Sequence, residues 1–513
     1  MTFQSLDNIP DIFPKSRQYQ SSRNKTLPSP LRVRAWSAFL CRDKKTELVL
    51  EKITEKFIHY LWAEQPLENL HYRTADNKEI KIVFTGLWNS NPGPDFTDAV
   101  IYIDNQLYKG DIEIHLYSSD WTRHQHHLNN KYNNLILHIT LWDDNEKLIK
   151  LNNGREIPQM ILSELLREKL EDIDKLLELD IAPKQDSYFT SAGRCYSYIK
   201  QAPNQKTIYF LEGAGESRLL RKIDNFNNRL SKSKSDYDEV LYQGIMSALG
   251  YKNNQLSFLQ LSEIVPYQKI LKLTGQYSED KQSLAIQSLL LTAVGLLPET
   301  TDNLNQATKY YLKYLNEFSC VSKKSPGVKL DWQIPGGRPA NSPYRRIAGI
   351  SYLLGGKVSL FTKIVEVISN QPAEKIRKEL IQLLSVPATG YWATRSTFDS
   401  KTFSKELALI GKERADAIIL NIIIPLVLIY SQSEKNSALQ KTILDLYRTY
   451  PKLMDNYYTR FMNQRLFKSD KKIFLSIIKT ASVQQGLIEI FTDFCKKGYE
   501  GCENCGLLKF LKQ

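Results

Sequence analysis

The chain has 513 residues, a formal net charge of +13 at pH 7, and 42% hydrophobic, 24% charged and 11% aromatic residues. That length holds roughly two to four domains at about 150 residues each, and the composition excludes a disordered, collagen-like or disulfide-scaffold chain. The positive charge, with a pI near 9.1, favours a polyanionic partner, and nucleic acid, DNA more than RNA, is the expectation.

In chain order, residues 1–46 set nine Lys/Arg against three acids in a Ser- and Pro-rich stretch without periodicity, and read as a basic flexible arm. Apolar residues then recur at three- and four-residue spacing from Leu48 to Trp62, which predicts an amphipathic helix. Glu79–Gly86, Asp98–Asp104, Leu107–Leu116 and Asn134–Trp142 are β-branched and aromatic, broken by Gly, Pro and Asn, and predict strands. A helix follows over Ile161–Leu179, and beyond about residue 205 the periods are almost all helical. The expected class is α+β, with an N-terminal α/β domain over 47–185, a helical domain over 186–324 and a second over 325–513. No array period of 33 to 47 residues is visible. The first 25 residues lack the apolar core of a signal peptide, so the expected location is the cytoplasm. The apolar run Ala417–Tyr430 is short of the ~20 residues of a membrane span and contains Pro425. It predicts a core helix kinked or broken at the proline, and no membrane partner.

All seven histidines fall between His59 and His138. Within that stretch Asp95 follows a Gly-Pro turn and opens a strand, while Glu113 and His115 stand two apart on the next strand and share a face. Two carboxylates at the lip of a sheet suit Mg²⁺ or Mn²⁺, which can activate a bound water against a phosphodiester. His115 can orient or deprotonate that water or bind the metal itself. Glu55 on the first helix, with Glu51 as the alternative, is the candidate additional acid. His124 and His126 beside Asp120 form a second candidate ligand set. His138 in an apolar strand and His59 among Ile58, Tyr60 and Trp62 read as packing residues, and His71 and His127 as surface residues.

Pro94-Asp95, seventeen intervening residues and Glu113-Ile114-His115 resemble the layout of the PD-(D/E)XK nuclease superfamily. In it a turn-borne Asp and a strand-borne Glu hold Mg²⁺, and the last motif position, His115 here, is usually Lys. The resemblance implies a restriction-endonuclease-like N-terminal domain and metal-dependent hydrolysis of DNA. Two other expectations stand beside it: an inactive nucleic-acid-binding or assembly module, and a histidine-ligated metalloenzyme acting on a small molecule. The segments FIHYLW, NPGPDF, GDIEIHLYSSDW, HQHH, EVLYQGIMSALGYKNN and GGRPANSPYRRIAG, with the terminal Cys motif, are together similar to bacterial proteins grouped as domain of unknown function 2851, over about residues 50 to 513. That similarity implies no activity of its own.

Two further clusters remain. Cys495, Cys502 and Cys505 offer three soft ligands within eleven residues, and Cys195 is the preferred fourth, for structural Zn²⁺ or a [4Fe–4S] cluster that ties the chain's end to its middle. Arg338, Arg345 and Arg346 stand beside rigid turns and either bind phosphate or pair inside the helical region.

Overall fold

The computed structural model describes residues 49–64, 70–89, 92–145, 149–173, 195–301, 303–319, 327–334, 341–398, 400–468, 470–497 and 504–512. The basic arm, Arg338, Cys502 and the end of the predicted helix 161–179 lie outside them. The class is α+β, a sheet-bearing N-terminal part followed by a mostly helical part. The chain divides into two compact units. One comprises the described residues up to Ala214 with Asp455–Ile478 and the described part of Gln485–Gln513; the other comprises Gly215–Met454 with Lys479–Gln484.

The first unit opens with helix α1 (Glu55–Glu64). It is shorter than the predicted helix, because Glu51–Thr54 leave the helical path and Thr54 takes over as its cap, its Oγ1 accepting from the Phe57 N–H at 3.2 Å. Glu55 therefore begins the first turn, at the positive end of the helix dipole. The strands follow: β1 (Ile80–Phe84), β2 (Leu87–Trp88), β3 (Phe96–Ile103) and β4 (Gln106–Tyr117). A crossover carries the short helix α2 (Asp120–Arg123) and two 3₁₀ turns, His126–Leu128 and Asn130–Tyr132, into β5 (Leu135–Trp142). The small strands β6 (Ile149–Lys150), β7 (Glu156–Ile157) and β8 (Gln159–Ile161) and helix α3 (Leu162–Arg167) complete the region.

The main sheet has the order β1-β3-β4-β5-β8, with β2 added to β3. β1, β3 and β4 run antiparallel, and β4, β5 and β8 parallel. Alternation along β4 sends Ile112 and Ile114 into a core shared with Leu137, Ile139 and Leu141 of β5 and Phe57, Ile58 and Leu61 of α1. It turns Asp111, Glu113 and His115 to the other face. The register opposes Glu113 to His138 and His115 to Thr140. Over this polar face the crossover lays a small second core of Trp121, Tyr132, Leu135, Ile149, Leu151 and Ile157.

Gly110 sets the approach of β4 to β5. A Cβ there would overlap the Asn134 carbonyl and the Ile136 side chain, and neither can retreat from the sheet. Gly110→Ala is expected to destabilise this unit by about 1–3 kcal/mol, read as a shift in chemical denaturation, with the far-UV circular dichroism of the native protein unchanged.

In the helical unit the apolar run forms helix Lys412–Ile418, a π turn Ile419–Ile423 and helix Ile424–Ser433, with residues 418–429 buried except Asn421. The helix is not broken at Pro425. The wider turn before it accommodates the missing N–H and the ring that would strike the preceding carbonyl, and Asn421 accepts a hydrogen bond from Lys222 Nζ at 2.7 Å. The Gly-x-Gly at residues 213–215 lies inside helix Asn204–Lys232, where Gly215 lets the Ser482 carbonyl approach.

Candidate metal centre

Asp95 and Glu113 come together at the start of β3. The Asp95 N–H donates to Glu113 Oε2 at 3.0 Å, and the Ile114 N–H donates to Asp95 Oδ2 at 2.9 Å. Each carboxylate is thus pinned by the other's strand. His59 of α1 reaches the same place: its Nε2 lies 3.2 Å from Asp95 Oδ2, and its ring packs edge-on against Trp88. Glu55, one turn earlier, has a raised pKa from burial, with the His59 charge opposing and the Asp95 charge reinforcing that shift. Glu51 stands exposed in the turn outside the helix.

The other oxygen of Glu113 faces the histidines. Oε1 lies 3.2 Å from His126 Nε2 and 3.5 Å from His115 Nε2, and His115 Nε2 is 3.3 Å from His124 Nδ1. The ligand atoms of His115, His124 and His126 all fall within 4.8 Å of one another. A tetrahedral ion with ligand bonds of about 2.0–2.1 Å spaces its ligands by about 3.3 Å. Three separations in the cluster, Glu113 to His126, Glu113 to His115 and His115 to His124, match that spacing at 3.2–3.5 Å, and the histidine ligand atoms all stay within 4.8 Å. Glu113 and His115 of the first suggested set meet His124 and His126 of the second, because the crossover folds back over β4.

His138 completes the arrangement from β5. It is fully buried, and its Nε2 lies 2.8 Å from His115 Nδ1. When His115 donates through Nδ1, its Nε2 carries a lone pair toward Glu113, His124 and His126, so His138 orients a ligand as well as filling the core. Trp121 and Tyr132 wall the site, with ring centroids 5.5 and 4.2 Å from that of His126. Asp120 is buried, its Oδ2 accepts from the Tyr117 N–H, and Arg123 pairs with it. It stabilises the crossover. His71 is exposed and His127 half-buried.

Burial is the first cause of every resolved shift among these histidines. It pushes His126 down to about 4 and His138 to about 3, with neighbouring histidines adding to the effect, and His115 lower still. Burial first, then the Asp95 carboxylate, holds Glu113 well above the usual carboxylate range. The metal-free site thus favours neutral imidazoles, the form that binds metal.

These shifts set a pH dependence. The three histidines bind protons more weakly in the fold than at their ordinary 6.5, so their stabilisation is complete above that value and lost as pH falls toward 4. Glu113, raised from 4.5, has the opposite sign, with its contribution declining as pH rises. Between pH 6.5 and 5.5 the histidines lose about 3 kcal/mol and Glu113 returns about 1. The metal-free protein is expected to lose about 2 kcal/mol over that interval in denaturant titrations; a flat profile would contradict the burial of these rings.

The other predicted site residues belong to other elements. Cys195 precedes helix Tyr196–Gln201, Cys495 opens a 3₁₀ turn, and buried Cys505 precedes helix Gly506–Lys512. The helices that follow Cys195 and Cys505 pack together, with Lys512 Nζ over the Tyr198 ring. Arg345 and Arg346 are 0% and 4% exposed, which corrects the phosphate-binding expectation for both. Arg345 donates to the carbonyls of Trp392, Arg395, Leu407 and Ala408, and Arg346 to Leu409 O, Tyr251 Oη and Asn341 Oδ1. Their terminal amino groups are spent on the fold, since the helix carrying them, Pro343–Leu354, turns this face inward.

No curated protein and no solved structure matches the chain. Residues 55–456 match the family described as "Protein of unknown function (DUF2851)". That span takes in α1, the sheet, the histidine cluster and most of the helical unit, and the chain belongs to this family.

Proposed function

We propose that the protein is a metal-dependent hydrolase of phosphodiester bonds in DNA, its α/β unit a restriction-endonuclease-like domain. The observation that carries this reading is the convergence of Asp95, Glu113 and His115 on one lip of the sheet, with His124 and His126 completing a donor set around Glu113 Oε1. Three nitrogens and one oxygen suit Mn²⁺ or Zn²⁺ better than Mg²⁺, which prefers all-oxygen sites. Such an ion lowers the pKa of a bound water and offsets charge on the phosphate. Asp95, held by the Ile114 N–H and faced by His59, would orient the attacking water and take its proton as the water oxygen bonds to phosphorus and the P–O bond to the leaving nucleotide oxygen breaks, that oxygen leaving with a proton from solvent. Glu55 is the candidate supporting acid. The net charge of +13 suits a polyanionic substrate. Cys195, Cys495, Cys502 and Cys505 are proposed to hold Zn²⁺ or a [4Fe–4S] cluster away from this chemistry.

Full-length protein, stripped with chelator and reloaded, is expected to take up one Mn²⁺ or Zn²⁺ per chain at the histidine site and to nick supercoiled DNA with Mn²⁺. Absence of both uptake and cleavage would sink the reading. The three-histidine set also favours a second reading, a metalloenzyme acting on a small molecule, and a tightly held ion without cleavage of DNA or RNA would select it.

A further inference from the structure

The helical unit holds a cavity of about 270 Å³, near the small end of ligand sites and sized for one ring system. Its walls come from helix Glu279–Ala293 (Ser283, Gln287), helix Gln306–Asn316 (Tyr311, Tyr314), the end of helix Pro343–Leu354 (Tyr352) and the turn Tyr391–Ala393. No lining residue carries a charge at neutral pH, which disfavours an ionic ligand.

One polar group is left over, and the hydrogen-bond chain identifies it. Trp392 Nε1 can only donate, and it donates to Tyr311 Oη at 2.9 Å; Tyr311 must then pass its own hydrogen on, and does so to Gln287 Oε1 at 2.7 Å. This fixes the amide orientation. Gln287 Nε2 is left without a partner, on a side chain 2% exposed. Two unpaired donors at the wall of an aromatic cavity call for an acceptor from outside the chain. The wall is also rigidly built. Tyr311 stacks on Tyr391 at 4.4 Å, Tyr344 stacks on Trp392 at 5.3 Å, and Arg345 holds the Trp392 carbonyl. The buried arginine motif thus buttresses one side of the cavity. Tyr314, 41% exposed, leaves ring surface at the rim for a flat ligand, and Gly390 keeps the space before the Tyr352 hydroxyl open.

We propose that this cavity binds a planar, uncharged nitrogen heterocycle of the nucleobase class, stacked on tyrosine and accepting a hydrogen bond from Gln287. The proposal does not rest on the metal centre. Adenosine, guanosine, cytidine and thymidine are titrated into the full-length protein and followed by calorimetry and saturation-transfer NMR, with deoxytrinucleotides of the same bases as a second arm. At least one nucleoside is expected to bind, with affinity reduced about tenfold by Gln287→Leu and about tenfold by Tyr314→Ala, the latter a rim change that leaves the core intact. Weakening in either folded variant supports the site. A trinucleotide that binds more tightly and shares that weakening identifies the ligand as a base within a strand, and equal affinity identifies a free nucleoside. No binding in either arm, or affinity unchanged in both variants, overturns the proposal.

Discussion

Glu113→Gln is expected to reduce Mn²⁺ affinity at least about a hundredfold, beyond the ten- to hundredfold typical of outer-sphere changes, and to abolish measurable Mn²⁺-dependent cleavage. The exchange is nearly isosteric, and the amide oxygen can still accept from the Asp95 N–H that now reaches Oε2. What it removes is the negative charge that Glu113 would gain at Oε1 on giving up its proton when a metal binds, at the atom within 3.2–3.5 Å of two histidines. Asp95→Asn should behave differently. Asp95 sits one step from the nitrogen cluster, so its loss should leave metal content near wild type while lowering the rate by about a hundredfold or more, the scale of a general base. Metal content and rate measured together separate the two roles. A Glu113→Gln protein that binds Mn²⁺ and cleaves DNA like wild type would remove Glu113 from the site.

The largest stability effect is expected at Arg345. Its guanidinium is fully buried, and among the described residues it pairs with no carboxylate; four backbone carbonyls, of Trp392, Arg395, Leu407 and Ala408, solvate it instead. Burial, then the Arg346 charge, lowers its pKa to about 10, so it stays charged at neutral pH. Arg345→Met fills much of the volume and strands those carbonyls away from water. The expected cost is about 3–5 kcal/mol, the range for breaking a buried charged contact. Arg345→Lys should recover less than half, because one ammonium cannot reproduce a planar fork that reaches four acceptors. Denaturant titration checks both; a cost under about 1 kcal/mol for the methionine variant would mean that the loop finds other donors.

The four main strands were legible in their β-branched and aromatic runs between Gly, Pro and Asn, and the period of two along a strand put Glu113 and His115 on one face. The break at Glu51–Thr54 was missed, because helical periodicity runs through it, although Thr is a residue type that caps helices. What periodicity cannot show is where a crossover returns. His124 and His126 meet Glu113 only because the segment after β4 doubles back, and its path is set by Trp121 and Tyr132 packing beneath it. The ring of His138 belongs to the core, as its apolar neighbours imply, yet its contact with His115 depends on the β4–β5 register. Tyr311, Tyr352 and Tyr391 are dozens of residues apart and share a cavity through helix packing alone. For Arg345 and Arg346 local sequence allowed surface or interior, and only the position of residues 392–409 decides.

The donor set from Glu113 to His126 occupies fourteen consecutive residues. Closing so short a loop costs about 2 kcal/mol less in chain entropy than bringing together residues a hundred apart. β4, the turn-rich return and β5 carry all of these ligands and His138, and are synthesised before the remaining 370 or so residues. Capture of an ion at that stage would tie the first strands of the sheet together during synthesis, making the metal an early clamp on the nascent fold as well as a reagent in the finished one.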